Sequence, residues 1–267
     1  MFHKFVNRYI IEGELVAATA LHIGAAKDEF RPNGCKNPFF RNASGLPLIP
    51  GSSLKGAMRS FLEQYLSSEA GKEEIPKDII YRSGICNEES PCIDLKAGGK
   101  LEEFFNSKKP DAPKKLSDYL FGAPGAKEKG KLCIVCRLFG SPYSAAKLSI
   151  RDARVIEKTF HREFEIRSGV AYDRNFGTSA IGKKFETEVV PEGTRFSFQA
   201  ILENGDATEW KIVQQLIRAM ELGLIPIGGM KSRGLGEMRI EGAKYQDING
   251  NNIAEYLTGK IIEFQEL

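Results

Sequence analysis

The order in which two periodicities follow one another restricts the fold of this chain more than any other feature. Residues 8–18 read as a strand. Residues 51–66 read as a helix, because Leu54, Met58, Phe61, Leu62, Tyr65 and Leu66 fall three and four apart and trace one apolar stripe. Residues 148–153 return to strand character. Residues 194–202 set Phe196, Phe198 and Ala200 against polar neighbours, the period of two of a half-buried strand. A second helix is expected over 208–222, where Trp210, Val213, Leu216, Ile217 and Met220 repeat at helical spacing, and a last strand over 236–245.

Two stretches interrupt this series. Residues 67–137 are rich in Lys, Glu, Gly and Pro and hold four of the five cysteines, so they read as an insertion within a single domain spanning 1–267. Residues 154–186, with Gly169, Gly177 and Gly182 among scattered bases, suit a long hairpin. Without these interruptions the order is strand, helix, strand, strand, helix, strand. This is the split βαββαβ plan of an α+β, ferredoxin-like (RRM-like) domain, with helices on one face of an antiparallel sheet and the other face free for a ligand.

With 267 residues the chain can bury a full core. Its 27% of charged residues is ordinary for a soluble globular protein, and no apolar run approaches the ~20 residues a membrane span needs. The start, Met1-Phe2-His3-Lys4, leads into strand-like sequence without a signal peptide, so a cytoplasmic location is expected. The net charge of +3 does not point to a polyanionic partner. The local distribution does: residues 52–60 hold Lys55 and Arg59 with no acid, and residues 228–236 hold Lys231 and Arg233 with no acid.

The first of these segments is Pro50-Gly51-Ser52-Ser53-Leu54-Lys55. A helix start offers free N–H groups and a positive dipole end, Ser52 or Ser53 is placed to cap it, and Lys55 adds charge, so an anionic oxygen would be well received. Lys55 and Arg59, four apart, share a face. A phosphate-cradling P-loop is excluded, since Gly45 and Gly51 have the wrong gap and no Lys follows Gly51. The second segment, residues 227–236, has four glycines that let the backbone approach a ligand, with Lys231, Ser232 and Arg233 between them. Each segment alone is equally a capped helix and a tight connection.

Cys133-Ile134-Val135-Cys136 is a C-x2-C knuckle, and Cys86 and Cys92 form a looser second pair. Four thiolates would make a closed, structural zinc site that pins the insertion. Buried free thiols, a redox pair or a disulfide are the alternatives, and the odd count of five, with Cys35, argues against a disulfide framework. His22, at an apolar strand end, is expected to pack.

Together the motifs carry a resemblance. Leu21-His22-Ile23-Gly24, Pro47-Leu48-Ile49-Pro50-Gly51-Ser52-Ser53-Leu54-Lys55-Gly56, Leu138-Phe139-Gly140 and the glycine-rich residues 228–236 occur in this order in the RAMP superfamily, and the chain resembles backbone subunits of type III (Csm/Cmr) CRISPR effector complexes. The resemblance implies a modified RRM with a helical insertion and a β-hairpin thumb, a guide RNA (crRNA) and a target RNA as ligands, and neighbouring copies and the large and small effector subunits as partners. It places Arg174, Lys183 and Lys184 on the thumb, and it makes Cys35 or His161 an alternative zinc ligand. In cleaving members an acid stands two residues before a proline on the loop after the first strand and serves magnesium-dependent cleavage. Here that position is Lys36. A lysine cannot hold a metal as a carboxylate does. Asp28 and Glu29, earlier on the loop, are the substitutes, Asp28 being the candidate catalytic residue. Target cleavage is therefore expected to be weak or absent. The competing expectations are a RAMP endoribonuclease that processes precursor CRISPR RNA through a histidine, and a zinc-dependent interaction module without RNA.

Overall fold

The computed structural model describes residues 4–25, 35, 37–68, 86, 92, 112–121, 130–142, 144–161, 163–173 and 177–267, with backbone alone at 112–115, 117, 171–173 and 179–184. Asp28, Glu29, Lys36 and Arg174, and the side chains of Lys183 and Lys184, lie outside the described residues. Strand β1 spans Asn7–Ala17, and the short β2 (Leu48–Ile49) leads into helix α1 (Gly51–Ser67). Helices α2 (Ala112–Phe121) and α3 (Ile134–Phe139) precede β3 (Leu148–Ile150) and β4 (Ala153–Arg154). A hairpin of β5 (Glu165–Asp173) and β6 (Thr178–Val189) follows, then β7 (Arg195–Glu203), α4 (Ala207–Glu221) and β8 (Met238–Asn249). The chain closes with α5 (Ile253–Leu257) and β9 (Gln265–Glu266).

The main sheet has the order β3-β7-β1-β8-β9, and its pairs are antiparallel. Leaving out β9, the four long-range partners stand in the order second, third, first, fourth along the chain. That is the arrangement of the βαββαβ plan, in which each helix connects strands that are not neighbours. The two-residue β9 carries no sequence signal, and it pairs with Lys244 and Tyr245 of β8. No helix among the described residues is long and apolar enough to cross a membrane.

The core follows from the periodicities. Ile11, Leu15 and Ala17 point from β1 toward the helices, as do Phe196, Phe198, Ala200 and Leu202 from β7. They meet Leu54, Met58, Leu62 and Leu66 of α1 and Ile212, Val213, Leu216, Ile217 and Met220 of α4. Each fully buried aliphatic side chain contributes roughly 1.5–3 kcal/mol, so the two stripes are the main attachment of the helices. Helix α4 starts with a complete capping box between Asp206 and Glu209. Glu209 is fully buried, and it also accepts from Arg137 Nε at 2.7 Å and from Lys147 Nζ at 2.5 Å. One carboxylate thus serves two buried cations; Arg137 keeps a second partner in Asp206 Oδ2 at 3.1 Å, whereas removal of Glu209 would take from Lys147 its ion-pair partner.

Two sequence expectations change here. Neither Ser52 nor Ser53 caps α1: Pro50 is the cap residue, and no side chain of its own bonds the helix. Instead Gly51 N donates to Asp152 Oδ1 at 2.8 Å, a partner 101 positions away. A Cβ at Gly51 would fall 2.3 Å from the Ile150 carbonyl oxygen, so the glycine is demanded by close packing of α1 on this segment. Second, residues 132–136 and Arg137, assigned by composition to the insertion, are buried, and Leu132 through Cys136 belong to the main core. The short helix α3 is buried on every residue, a pattern that periodicity cannot separate from a strand or loop.

Candidate nucleic-acid interface and cysteine centre

The two basic glycine- and serine-containing segments meet. Ser52, Ser53, Gly56, Ser60 and Phe61 of α1 line one wall of a groove of about 580 Å³, and Leu224, Pro226, Gly228 and Lys231 line the other. Ser52 and Lys231 are exposed at this groove. The glycine-rich loop is anchored from below: Gly229 N donates to the His22 carbonyl at 2.9 Å and Gly236 N to that of Ala20 at 3.0 Å. His22 is buried as expected, its Nδ1 lies 2.7 Å from the Glu188 carbonyl, and its ring meets the edge of Phe39. At the loop's centre Lys231–Arg233 form a single 3-10 turn between Met230 and Gly234, both left-handed. Met230 at φ 59° is unfavourable for a side-chain-bearing residue, and the anchors on either side hold it there.

The cations predicted from composition separate into two groups. Lys231 and Ser232 are exposed on the loop. Lys55 is half-buried, and its amine is held below the usual lysine range by partial burial first and by the charge of Arg59 second. Arg59 leans away from the groove: its Nε donates to Glu63 Oε1 at 2.8 Å and its Nη1 to the Gly140 carbonyl at 3.3 Å. Arg233 sets its guanidinium 5.3 Å from the centre of the Phe185 ring on β6. The Asp152 carboxylate at the start of α1 already occupies part of the positive end of that helix. Asp152 is a site residue that sequence reasoning missed, and nothing local signals a partner so distant.

The free face of the sheet is different. Its groove, about 1110 Å³, is larger, and Glu12, Gln199, Ser197, Arg151 and Arg154 are among the residues that line it. Gln199 Nε2 donates to Glu12 Oε1 at 2.8 Å, and Arg195 bridges Glu14 at 2.9 Å and Glu241 at 2.8 Å. By alternation and register, β1, β7 and β8 turn no aromatic ring to this face. An RRM stacks bases on sheet aromatics, and this face has paired carboxylates instead. The strands of the free sheet face therefore offer no aromatic ring for base stacking, although Arg151 and Arg154 line its groove, and it is on the smaller groove that the two signature segments converge.

Residues 37–41, in the connection after β1, lie against the foot of the hairpin. Asn37 Nδ2 donates to the Glu186 carbonyl at 3.0 Å, and Glu188 N donates to that of Asn37 at 3.1 Å. Glu188 Oε2 accepts from Phe39 N at 2.9 Å and pairs with Arg41 at 2.9 Å, and Arg41 lies 4.1 Å over the Phe164 ring. The residues flanking position 36 are thus fixed against the hairpin foot.

Cys86, Cys92, Cys133 and Cys136 come together, with all four sulfurs within 4.8 Å of one another. This group contains neither Cys35, whose thiol donates to the Asn37 carbonyl at 3.7 Å, nor His161. Cys86 Sγ and Cys136 Sγ lie 3.4 Å apart, and Cys133 N donates to Cys92 Sγ at 3.2 Å. Hydrogen bonds from Cys136 and then Cys92 pull the Cys133 thiol down, while the bonds that stabilise Cys133 push Cys92 and Cys136 up. A thiophilic divalent cation fits this donor set, as four sulfurs this close together can lose their protons to it and close the site. The residues could hold a metal ion.

Comparison with known proteins agrees with the motif order. The RAMP superfamily profile matches residues 14–239. A Methanothermobacter thermautotrophicus protein named CRISPR system Cms endoribonuclease Csm3 is 27% identical over 270 residues, covering 91% of this chain and 88% of its own. The protein of the same name from Methanocaldococcus jannaschii is 25% identical, covering 91% and 80%. That from Streptococcus thermophilus is 25% identical, covering 91% and 93%. A match of this extent, over a sheet of the βαββαβ order with both signature segments on one groove, places the chain in the RAMP superfamily.

Proposed function

We propose that this chain is a guide-RNA-binding backbone subunit of a type III CRISPR ribonucleoprotein, which stacks with further copies along the crRNA and presents it to target RNA in antiviral defence. The observation that carries the reading is the groove where Ser52, Ser53 and Lys231 converge from segments some 170 residues apart. Hydroxyl donors and a lysine on a glycine-rich turn suit a sugar–phosphate backbone and are indifferent to base identity. Lys55 and Ser232 extend that surface. The β5–β6 hairpin is the thumb, and residues 67–137 together with it are elaborations of one RAMP domain in the cytoplasm. Cys86, Cys92, Cys133 and Cys136 hold a structural zinc ion that fastens the insertion to the core.

Target cleavage is weak or absent. The three relatives are named endoribonucleases, but Lys36 stands where the resemblance puts an acid, and magnesium has a role only if Asp28 or Glu29 substitutes. The native complex should carry co-purifying RNA whose sequence is that of a CRISPR guide. With magnesium and labelled target RNA the complex should leave the target intact, and Lys36→Asp should introduce regularly spaced cuts. Regular cuts by the unaltered complex that vanish in Asp28→Ala would overturn the non-cleaving assignment. A complex free of RNA would overturn the function itself.

A further inference from the structure

We infer that the glycine-rich loop and the β5–β6 hairpin are one unit, in which Phe185 and Arg233 are positioning residues that set the direction of the hairpin relative to the groove; the role this gives them rests on reading the groove as an RNA site. The hairpin forms its own two-stranded sheet and, among the described residues, makes no ladder with the main sheet. Its direction is therefore fixed by side chains and by its foot. At the foot, Leu21 and Val190 exchange backbone bonds at 3.0 and 2.8 Å. Val189, Ala20 and Leu235 form a small buried cluster separate from the main core, with Met230 packed on it. That cluster joins β6, the chain after β1 and the glycine-rich loop.

Beyond the foot the connection continues through Phe185. On one side, its ring lies so close to Gly169 of the opposing strand that a Cβ there would fall 2.2 Å from Cζ and 2.6 Å from Cε2. On the other side, the Arg233 guanidinium lies 5.3 Å from the ring centre. A planar cation beside an aromatic face is attracted by the ring's quadrupole. Arg233 is two residues from Lys231, so one 3-10 turn points one cation at the groove and the other at the hairpin. RNA held by Lys231 and the hairpin held by Arg233 are then indexed to each other through a turn whose strained Met230 is locked by the foot cluster. Arg233, by composition a phosphate contact, instead serves geometry.

Hydrogen–deuterium exchange on the full chain, alongside anisotropy titration of a 5′-fluorescein single-stranded RNA, tests this. Phe185→Ala, Gly169→Ala (which displaces the ring without removing it) and Arg233→Ala should each raise exchange in β5 and β6 by about tenfold while β1, β7 and β8 stay protected. Phe185→Tyr should restore protection, and Arg233→Ala should weaken RNA binding far less than Lys231→Ala. Unchanged hairpin exchange in Phe185→Ala and Gly169→Ala would overturn the inference. So would an Arg233→Ala variant that loses as much RNA affinity as Lys231→Ala with its hairpin still protected. If Phe185→Ala loosens the sheet as well, Arg233→Ala decides, since it leaves the small cluster intact. An unaltered chain that binds no RNA would defeat the groove reading, and the exchange comparison would still judge the clamp.

Discussion

Two segments that look equivalent in the sequence, residues 50–59 and 227–236, use their charges differently. Both pair glycines with a lysine and an arginine and hold no acid. In the first, Asp152 reaches the helix start from a distant strand connection, and Glu63 takes Arg59. In the second, Lys231 remains exposed on a turn pinned from beneath. Local composition reports which charges a segment carries. Long-range packing decides which of them a ligand can meet, and on this account the second segment supplies the charge while the first supplies the rigid wall.

The largest effect should come from the support behind the first segment. Arg59 bonds the Gly140 carbonyl, and Gly140 N closes the turn from Cys136. A strong chelator, or Cys136→Ser, should lower Tm by roughly 10 °C in thermal scans, in the range expected when a structural metal is lost from a domain with its own core. An unchanged Tm would remove the metal from the account. Gly51→Ala should come next, costing about 2–4 kcal/mol in denaturant titration, because the added methyl meets the Ile150 carbonyl and the wall must shift.

Smaller effects sharpen the contrast. Lys231→Ala should weaken RNA binding roughly tenfold at low salt and reduce the salt slope by about one, whereas Arg59→Ala should leave the slope unchanged. Equal slopes in the two variants would erase the distinction between the segments. Asp152→Asn should be the mildest: about 1 kcal/mol lost from the α1 start, with RNA binding strengthened up to roughly twofold as a carboxylate leaves the groove's vicinity. The two readouts move in opposite directions, so a fall in both would argue against Asp152 as a resident counter-charge.

Much of the fold was legible because it rests on periodicity. The stripe of α1, the alternation of β7 and the spacing of α4 each report a buried face directly. Helix α3 was not legible, since a helix buried on all sides has no contrast between faces. The four-cysteine centre was readable from its C-x2-C half, which fixes two ligands within one turn, and the looser Cys86 and Cys92 joined it through contacts some fifty residues apart. The groove was visible as two halves. Its acidic neighbour Asp152, and the commitment of Arg233 to Phe185, depend on chain segments that no local pattern links, whereas the Arg59–Glu63 pair is four apart on one helix and could have been read from the sequence.

The central claim is that RNA lies in the groove between α1 and the glycine-rich loop and not on the open face of the sheet. Ultraviolet crosslinking of the native complex followed by mass spectrometry of RNA-bearing peptides tests it most directly. Crosslinks should concentrate on peptides holding Ser52, Ser53 and Lys231. Crosslinks concentrated on β1 and β7 peptides holding Glu12, Ser197 and Gln199, with the groove peptides unmodified, would contradict it.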